Sequence, residues 1–66
     1  MPLTPKQMVK LLKDNGFEEV SYSGSHLKMH NFSTGKQTEI PIHAKDLGKG
    51  LEHAILKQAG LPTRLS

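Results

Sequence analysis

The stretch from residue 26 to residue 31 constrains the fold of this 66-residue chain more than any other. Polar and apolar side chains alternate along it, in the order His26, Leu27, Lys28, Met29 and His30. A period of two residues is that of a β-strand, whose side chains point alternately to opposite faces of a sheet. The Ser-Gly-Ser sequence just before it has the composition of a tight turn. The stretch therefore predicts a strand with an apolar face for the core and a wet, basic face for the solvent.

Signals for helices stand on both sides of this strand. Thr4 to Gln7 has the pattern of a capping box with a proline at the first helical position, and Asn15-Gly16 ends the helix that follows. A second helix is predicted from about Gly50 to Ala59, with Glu52 complementing the helix dipole. Its apolar stripe is assigned to Leu51, Ala54, Ile55 and Ala59.

Two further strands complete the predicted fold. One runs from Phe17 to Tyr22, with an irregular start because Glu18-Glu19 breaks its alternation, and the other runs from Gln37 to His43. Each helix has one apolar stripe and each strand has one apolar face, so the economical packing is a three-stranded antiparallel sheet with both helices on one side. The prediction is an α+β fold of order α-β-β-β-α whose second sheet face stays open.

Length and composition limit what such a chain can be. It is expected to form one domain over residues 1–66, with a flexible tail at 62–66, and it has no cysteine for a disulfide or a thiolate metal site. No apolar run approaches the roughly 20 residues that span a bilayer, so a cytoplasmic location without membrane contact is predicted. Nine Lys and Arg residues against six Asp and Glu give a net charge of +3, which suits a polyanion but also serves solubility alone.

His26 is the strongest candidate for a catalytic residue, because an imidazole can accept or donate a proton near neutral pH. It combines a position at the end of a turn with predicted exposure on the open face; an ordinary surface histidine is the alternative. Lys28 shares this face and can stabilise a phosphate, or simply keep the chain soluble. Ser25 is interpreted as a turn residue beside a phosphate rather than as a nucleophile. His43, at the end of the third strand, either approaches His26 or caps the sheet.

A metal site is not predicted, although the chain has four histidines. His26 and His30 are four residues apart, which on a strand separates their Cα atoms by about 13 Å. That spacing is too wide for one zinc ion, which binds each ring nitrogen at about 2 Å. His53 belongs to the second helix and is expected to be solvated. No cofactor is therefore expected, and any catalysis is expected to be independent of metal.

The order of several short motifs resembles one protein family. Gly24-Ser25-His26 is followed by Ile40-Pro41-Ile42-His43 and, at the end of the last helix, by Lys57-Gln58-Ala59-Gly60. Over about residues 4 to 61 the chain is similar to the HicA-type toxins of bacterial toxin–antitoxin systems. Gly-Ser-His alone is a weak signal, whereas the three motifs in this order are specific.

The resemblance implies a fold like the double-stranded RNA-binding domain and an activity as an mRNA endonuclease, or mRNA interferase, that arrests translation and growth. It also implies that the histidine of the Gly-Ser-His turn, here His26, is catalytic, and that a HicB-type antitoxin covers it. Gly24, Ser25, Lys28 and His43 are expected to bind the RNA; Lys28 and His43 are inferred from their positions rather than from the family. The chain is expected to be a monomer when free and part of a hetero-oligomer with its antitoxin.

Two other classes of function stay open on the sequence alone. A non-catalytic module that binds double-stranded RNA would carry its basic residues on helix ends and loops, where Lys45, Lys49 and Lys57 lie. Such a module would retain RNA without cleaving it. A small interaction protein that only docks a partner on its open sheet face would show neither RNA affinity nor toxicity.

Overall fold

A computed structural model describes residues 3–62 of the chain. It contains helix α1 (Pro5–Asp14), strands β1 (Glu18–Ser23), β2 (His26–His30) and β3 (Gln37–Pro41), and helix α2 (Gly48–Ala59). The strands form one antiparallel sheet in the order β1-β2-β3. The predicted α-β-β-β-α fold, of the type found in double-stranded RNA-binding domains, is therefore confirmed. Of the predicted tail at 62–66, residues 63–66 lie outside the described residues.

Helix α1 begins and ends where its sequence predicts. The Gln7 backbone N–H donates a hydrogen bond to the Thr4 hydroxyl at 3.2 Å, and the Thr4 N–H donates one to Gln7 Oε1 at 2.9 Å. This capping box satisfies backbone donors that have no partner within a helix. After Asn15 the chain turns at Gly16, whose φ of +91° is rarely adopted by a residue with a side chain. The turn leads directly into β1.

The sheet has one face in the core. Leu27 and Met29 of β2 and Ile40 of β3 are buried in a single hydrophobic cluster. The helices and connecting segments supply the rest of this cluster, namely Met8, Leu12, Phe17, Leu47, Ile55, Leu56 and Ala59. Burying an aliphatic side chain of this size contributes about 1.5–3 kcal/mol. Both helices therefore pack on the same face of the sheet, as predicted.

A β-bulge shapes β1. The strand pairs Glu18 with His30 and Glu19 with Met29, but its pairing resumes with Ser21 opposite Lys28. One residue, Val20, is thus inserted into the ladder, as in a β-bulge. The predicted irregularity of this strand is present, directly after the Glu18-Glu19 pair. Because of the inserted residue, Ser21 lies on the same face as Glu18.

Helix α2 differs from its prediction in its start, which is two residues earlier, and in its buried face. Leu51 is 42% exposed and Ala54 is exposed, whereas Glu52 and Leu56 are buried. The buried Glu52 carboxylate accepts a hydrogen bond from the Leu3 N–H at 2.6 Å, which offsets the cost of burying a polar group. The prediction of Leu51 and Ala54 on the core stripe is therefore wrong. Because α2 begins at Gly48, Glu52 lies beyond its first turn, so the predicted interaction of Glu52 with the helix dipole is wrong as well.

Strand β3 is shorter than predicted, because it ends at Pro41 rather than at His43. The Pro41 carbonyl accepts a hydrogen bond from the Ala44 N–H at 3.2 Å, which closes a turn and takes His43 off the strand.

Neither described helix combines the length and the apolar character needed to cross a membrane.

Candidate active site

The turn between β1 and β2 fixes the position of His26. Gly24 and Ser25 lie between Ser23 and His26, which face each other across the hairpin. The φ of Gly24 is +62°, and within residues 3–62 only glycines have a positive φ. A glycine with positive φ at the first of two turn residues is typical of a type II′ hairpin turn. The Ser25 carbonyl also accepts a hydrogen bond from the Ile42 N–H at 2.9 Å, so the turn is held to the end of β3.

His26 is the first residue of β2, and its side chain is exposed. Its neighbours across the sheet are Ser23 on β1 and Pro41 on β3. The alternation of β2 puts it on the face opposite to Leu27, and therefore opposite to both helices. We call this the outer face of the sheet. An imidazole here can contact a large bound molecule while the core stays intact.

Lys28 lies two residues further along the outer face, about 7 Å from His26 between Cα atoms. Ser21 of β1 and Glu39 of β3 flank it in the sheet register. The ion pairs among residues 3–62 both involve lysines of α1. The half-buried Lys28 side chain therefore has no carboxylate within ion-pair distance in this part of the chain, and its charge is available to an anion.

Two serines beside these side chains were not identified from the sequence. Ser23 faces His26, and Ser21 faces Lys28. The two-residue turn sets this register, and the bulge at Val20 shifts only the pairing of Glu18 and Glu19, which precede it. Counting back from a two-residue turn would have found both serines, because such a turn joins residues that face each other and the pairing continues from there along both strands.

A groove of about 550 Å³ lies along β3, and its lining extends from His26 and Lys28 on β2 to Leu51 and Ala54 on α2. We call it the β3 groove. Its polar side includes His26, Lys28 and Glu39, and its apolar side includes Leu51 and Ala54. The exposure of these last two side chains, which the sequence did not predict, makes one wall of this groove apolar.

The other histidines of the strands and loops are placed differently. His43 lies in the turn after β3 and is not among the residues that line the β3 groove. The His30 ring contacts the Phe32 ring, with 4.4 Å between their centres. Among residues 3–62, no three His, Cys, Asp or Glu side chains are grouped so that they could hold a metal ion. His26 is thus the histidine that the fold places in the groove.

Fold and site together define a class of protein: a small domain of the double-stranded RNA-binding type with an exposed histidine beside hydroxyl and cationic side chains. The family model described as HicA toxin of bacterial toxin-antitoxin matches residues 5–61. The chain is also similar to the probable mRNA interferase HicA of Pseudomonas fluorescens (strain Pf0-1). The two are 45% identical over 51 residues, which cover 76% of this chain and 82% of that protein. The chain therefore belongs to the HicA toxin family, and the resemblance seen in its motifs is confirmed.

Proposed function

We propose that this chain is an endoribonuclease that cleaves mRNA with His26 as its acid/base, and that this cleavage arrests translation and growth. The observation that carries the proposal is the position of His26, exposed on the outer face in a chain of the HicA toxin family. The relative from Pseudomonas fluorescens is named a probable mRNA interferase. An enzyme that cleaves a polymer needs a proton-transfer group that the polymer can reach, and His26 meets this requirement.

RNA carries its own nucleophile, which His26 activates. The imidazole takes the proton of a 2′-hydroxyl, the 2′ oxygen bonds to the neighbouring phosphorus, and the bond from phosphorus to the 5′ oxygen breaks. The leaving oxygen takes up a proton from the imidazolium or from water. Lys28 and the backbone amides of Gly24 and Ser25 stabilise the negative charge on the phosphate. DNA has no 2′-hydroxyl and is not cleaved.

The RNA extends beyond the reacting phosphate, and His43 binds it from the turn after β3. The hydroxyls of Ser21 and Ser23 lie on the same face and donate hydrogen bonds to neighbouring phosphates. The reaction is proposed to be independent of metal, with His26 as its proton-transfer group.

The partner is a HicB-type antitoxin that covers His26. The free toxin is an active monomer in the cytoplasm, where mRNA is translated, and the hetero-oligomer with the antitoxin is inactive. Membership of the HicA toxin family supports the existence of an antitoxin. The exposure of His26 supports inhibition by direct coverage, because any protein docked on the outer face separates the imidazole from RNA.

Induction of the toxin in bacteria tests this proposal. Wild type is compared with His26→Ala and with the control His53→Ala, whose histidine is exposed on α2. We expect growth arrest and mRNA cleavage from wild type and from the control, and neither from His26→Ala. Circular dichroism and thermal unfolding establish that each variant is folded. A folded His26→Ala protein that still cleaves mRNA and arrests growth would show that the assignment is wrong.

A non-catalytic RNA-binding module is the second candidate, and the exposed lysines 6, 10 and 13 along α1 favour it. Two of them are already paired, Lys10 with Asp14 at 3.4 Å and Lys13 with Glu19 at 2.7 Å, which reduces the charge available to phosphates. This candidate predicts that double-stranded RNA is retained without cleavage and that His26→Ala changes nothing. The same set of variants therefore separates the two functions.

A further inference from the structure

The backbone of β3 has hydrogen-bonding groups that β2 does not use. In an antiparallel pair, alternate residues point their N–H and C=O groups at the neighbouring strand, and the residues between them point away. The Asn31 N–H bonds to the Lys36 carbonyl at 2.8 Å, and the Ile42 N–H bonds to the Ser25 carbonyl at 2.9 Å. These bonds lie at the two ends of the β2–β3 ladder, and they show which alternate residues of β3 bond to β2. Residues 36, 38, 40 and 42 thus face β2, and residues 37, 39 and 41 turn their backbone groups outward.

The β3 edge differs from the other edge of the sheet. The β1 edge is interrupted by the bulge at Val20, and bulges are a device that protects edges from further pairing. β3 instead pairs with β2 without a register shift along its whole length. Its outward groups are those of Gln37 and Glu39, because Pro41 has no N–H and its carbonyl is bonded to Ala44. β3 is therefore the edge at which another strand can add.

Donors and acceptors that repeat every second residue match the backbone of an extended polypeptide. A second copy of this chain matches poorly. Antiparallel pairing of two β3 edges about their centre puts Glu39 opposite Glu39, and like charges that face each other across strands are destabilising. Gln37 would also face Pro41, which cannot donate. The occupant is therefore a different polypeptide.

We propose that an extended segment of the antitoxin adds to β3 as a fourth strand; this rests on the toxin–antitoxin function proposed above. The exposed Glu39 carboxylate has no ion pair within residues 3–62, so it selects a Lys or Arg directly opposite on the segment. The residues on either side of that cation face the α2 side of the sheet, where Leu51 and Ala54 are exposed. The segment therefore has the pattern apolar, cationic, apolar.

This docking mode also explains inhibition. The β3 groove includes the edge residues Gln37 and Glu39 together with His26 and Lys28. A strand paired to β3 lies about 4.8 Å from it and fills this groove. RNA is then kept from His26 by a segment whose affinity comes from the backbone of β3 rather than from the histidine.

Two substitutions at one position isolate the backbone contribution. Glu39→Ala removes the carboxylate and keeps the outward N–H, whereas Glu39→Pro removes both, and neither removes a hydrogen bond to β2 because this N–H points away from it. Affinity for the cognate HicB-type antitoxin is measured by isothermal titration calorimetry on variants shown to be folded by circular dichroism. We expect Glu39→Ala to bind more weakly than wild type, and Glu39→Pro to bind about tenfold more weakly than Glu39→Ala. Equal affinities for the two variants overturn the proposal.

Hydrogen exchange of the wild-type chain provides a second readout. The amide protons of Gln37 and Glu39 are expected to exchange slowly only in the antitoxin complex, with the outward amide of Tyr22 on the β1 edge as an unaffected control. A complex that leaves both amides unprotected overturns the proposal. Protection by added RNA or by concentrating the toxin alone, with no protection in the antitoxin complex, overturns it equally, because the occupant is then a nucleic acid or a second copy. RNA cleavage by the free toxin is assayed separately, so its failure contradicts the proposed enzyme and leaves this binding test intact.

Discussion

Neighbouring residues of β2 lie on opposite faces of the sheet, and different physical constraints act on the two faces. Leu27 and Met29 are buried beneath both helices, where volume and apolar character decide whether the domain folds. His26 and Lys28 lie on the outer face, where no helix packs within residues 3–62 and chemistry can be placed with little effect on stability. Strand alternation alone therefore separates the side chains that build the core from those that can contact a bound molecule.

The largest effect expected from this comparison is on stability. Leu27→Ala removes a buried side chain and is expected to cost about 2–5 kcal/mol, a large share of the roughly 3–10 kcal/mol of a domain this size. Lys28→Ala, the next residue on the other face, is expected to cost less than about 1 kcal/mol. Urea unfolding of both variants measures the difference. Similar losses of stability for the two variants would contradict the assignment of Leu27 to the core and Lys28 to the outer face.

A polar group on the inner side gives the next largest effect. Glu52→Ala leaves the Leu3 N–H without its partner and is expected to cost about 1–3 kcal/mol. Glu52→Gln keeps an acceptor oxygen and is expected to cost less. Thermal unfolding compares the two variants, and an unchanged melting temperature for Glu52→Ala would mean that the bond to Leu3 contributes little to stability.

On the outer face, the effect of Lys28→Ala is expected in RNA binding rather than in folding. Loss of one phosphate contact weakens binding and lowers the slope of log affinity against log salt by about one. Lys57→Ala, at the exposed end of α2, serves as a control of equal charge. Titrations at several salt concentrations measure the slopes. If the slope for Lys28→Ala equals that of wild type, Lys28 does not belong to the site.

The smallest effect is expected at the ion pair between Lys13 and Glu19, which joins α1 to β1 at 2.7 Å. The hydrogen bond to Glu19, followed by its charge, raises the pKa of Lys13 above the usual 10.5. The pair therefore stabilises the fold while Lys13 is charged, and the contribution is lost as pH rises through the raised pKa. Because the pair is solvent-exposed, Lys13→Ala should lower the melting temperature slightly at low salt only. A decrease in melting temperature that persists at high salt would indicate lost packing instead.

Features that depend on neighbours in sequence were predictable, and features that depend on distant partners were not. The capping box at Thr4, the turn at Gly16 and the two faces of β2 follow from local spacing, and all were predicted. The buried face of α2, whose prediction was wrong, includes Glu52, and this residue accepts a hydrogen bond from the Leu3 N–H 49 residues away. The pairing of Glu18 with His30 depends on the bulge at Val20, whose position only the pairing with β2 defines.

Cleavage by purified protein tests most directly whether His26 is the acid/base of an RNA-cleaving enzyme. Wild type and His26→Ala are compared with His30→Ala, whose histidine is on the same strand and face but contacts Phe32. We expect His26→Ala to lower the rate on an RNA oligonucleotide by about 100-fold or more, His30→Ala to keep the wild-type rate, and DNA to stay intact. A folded His26→Ala protein that cleaves RNA at the wild-type rate would contradict this role of His26.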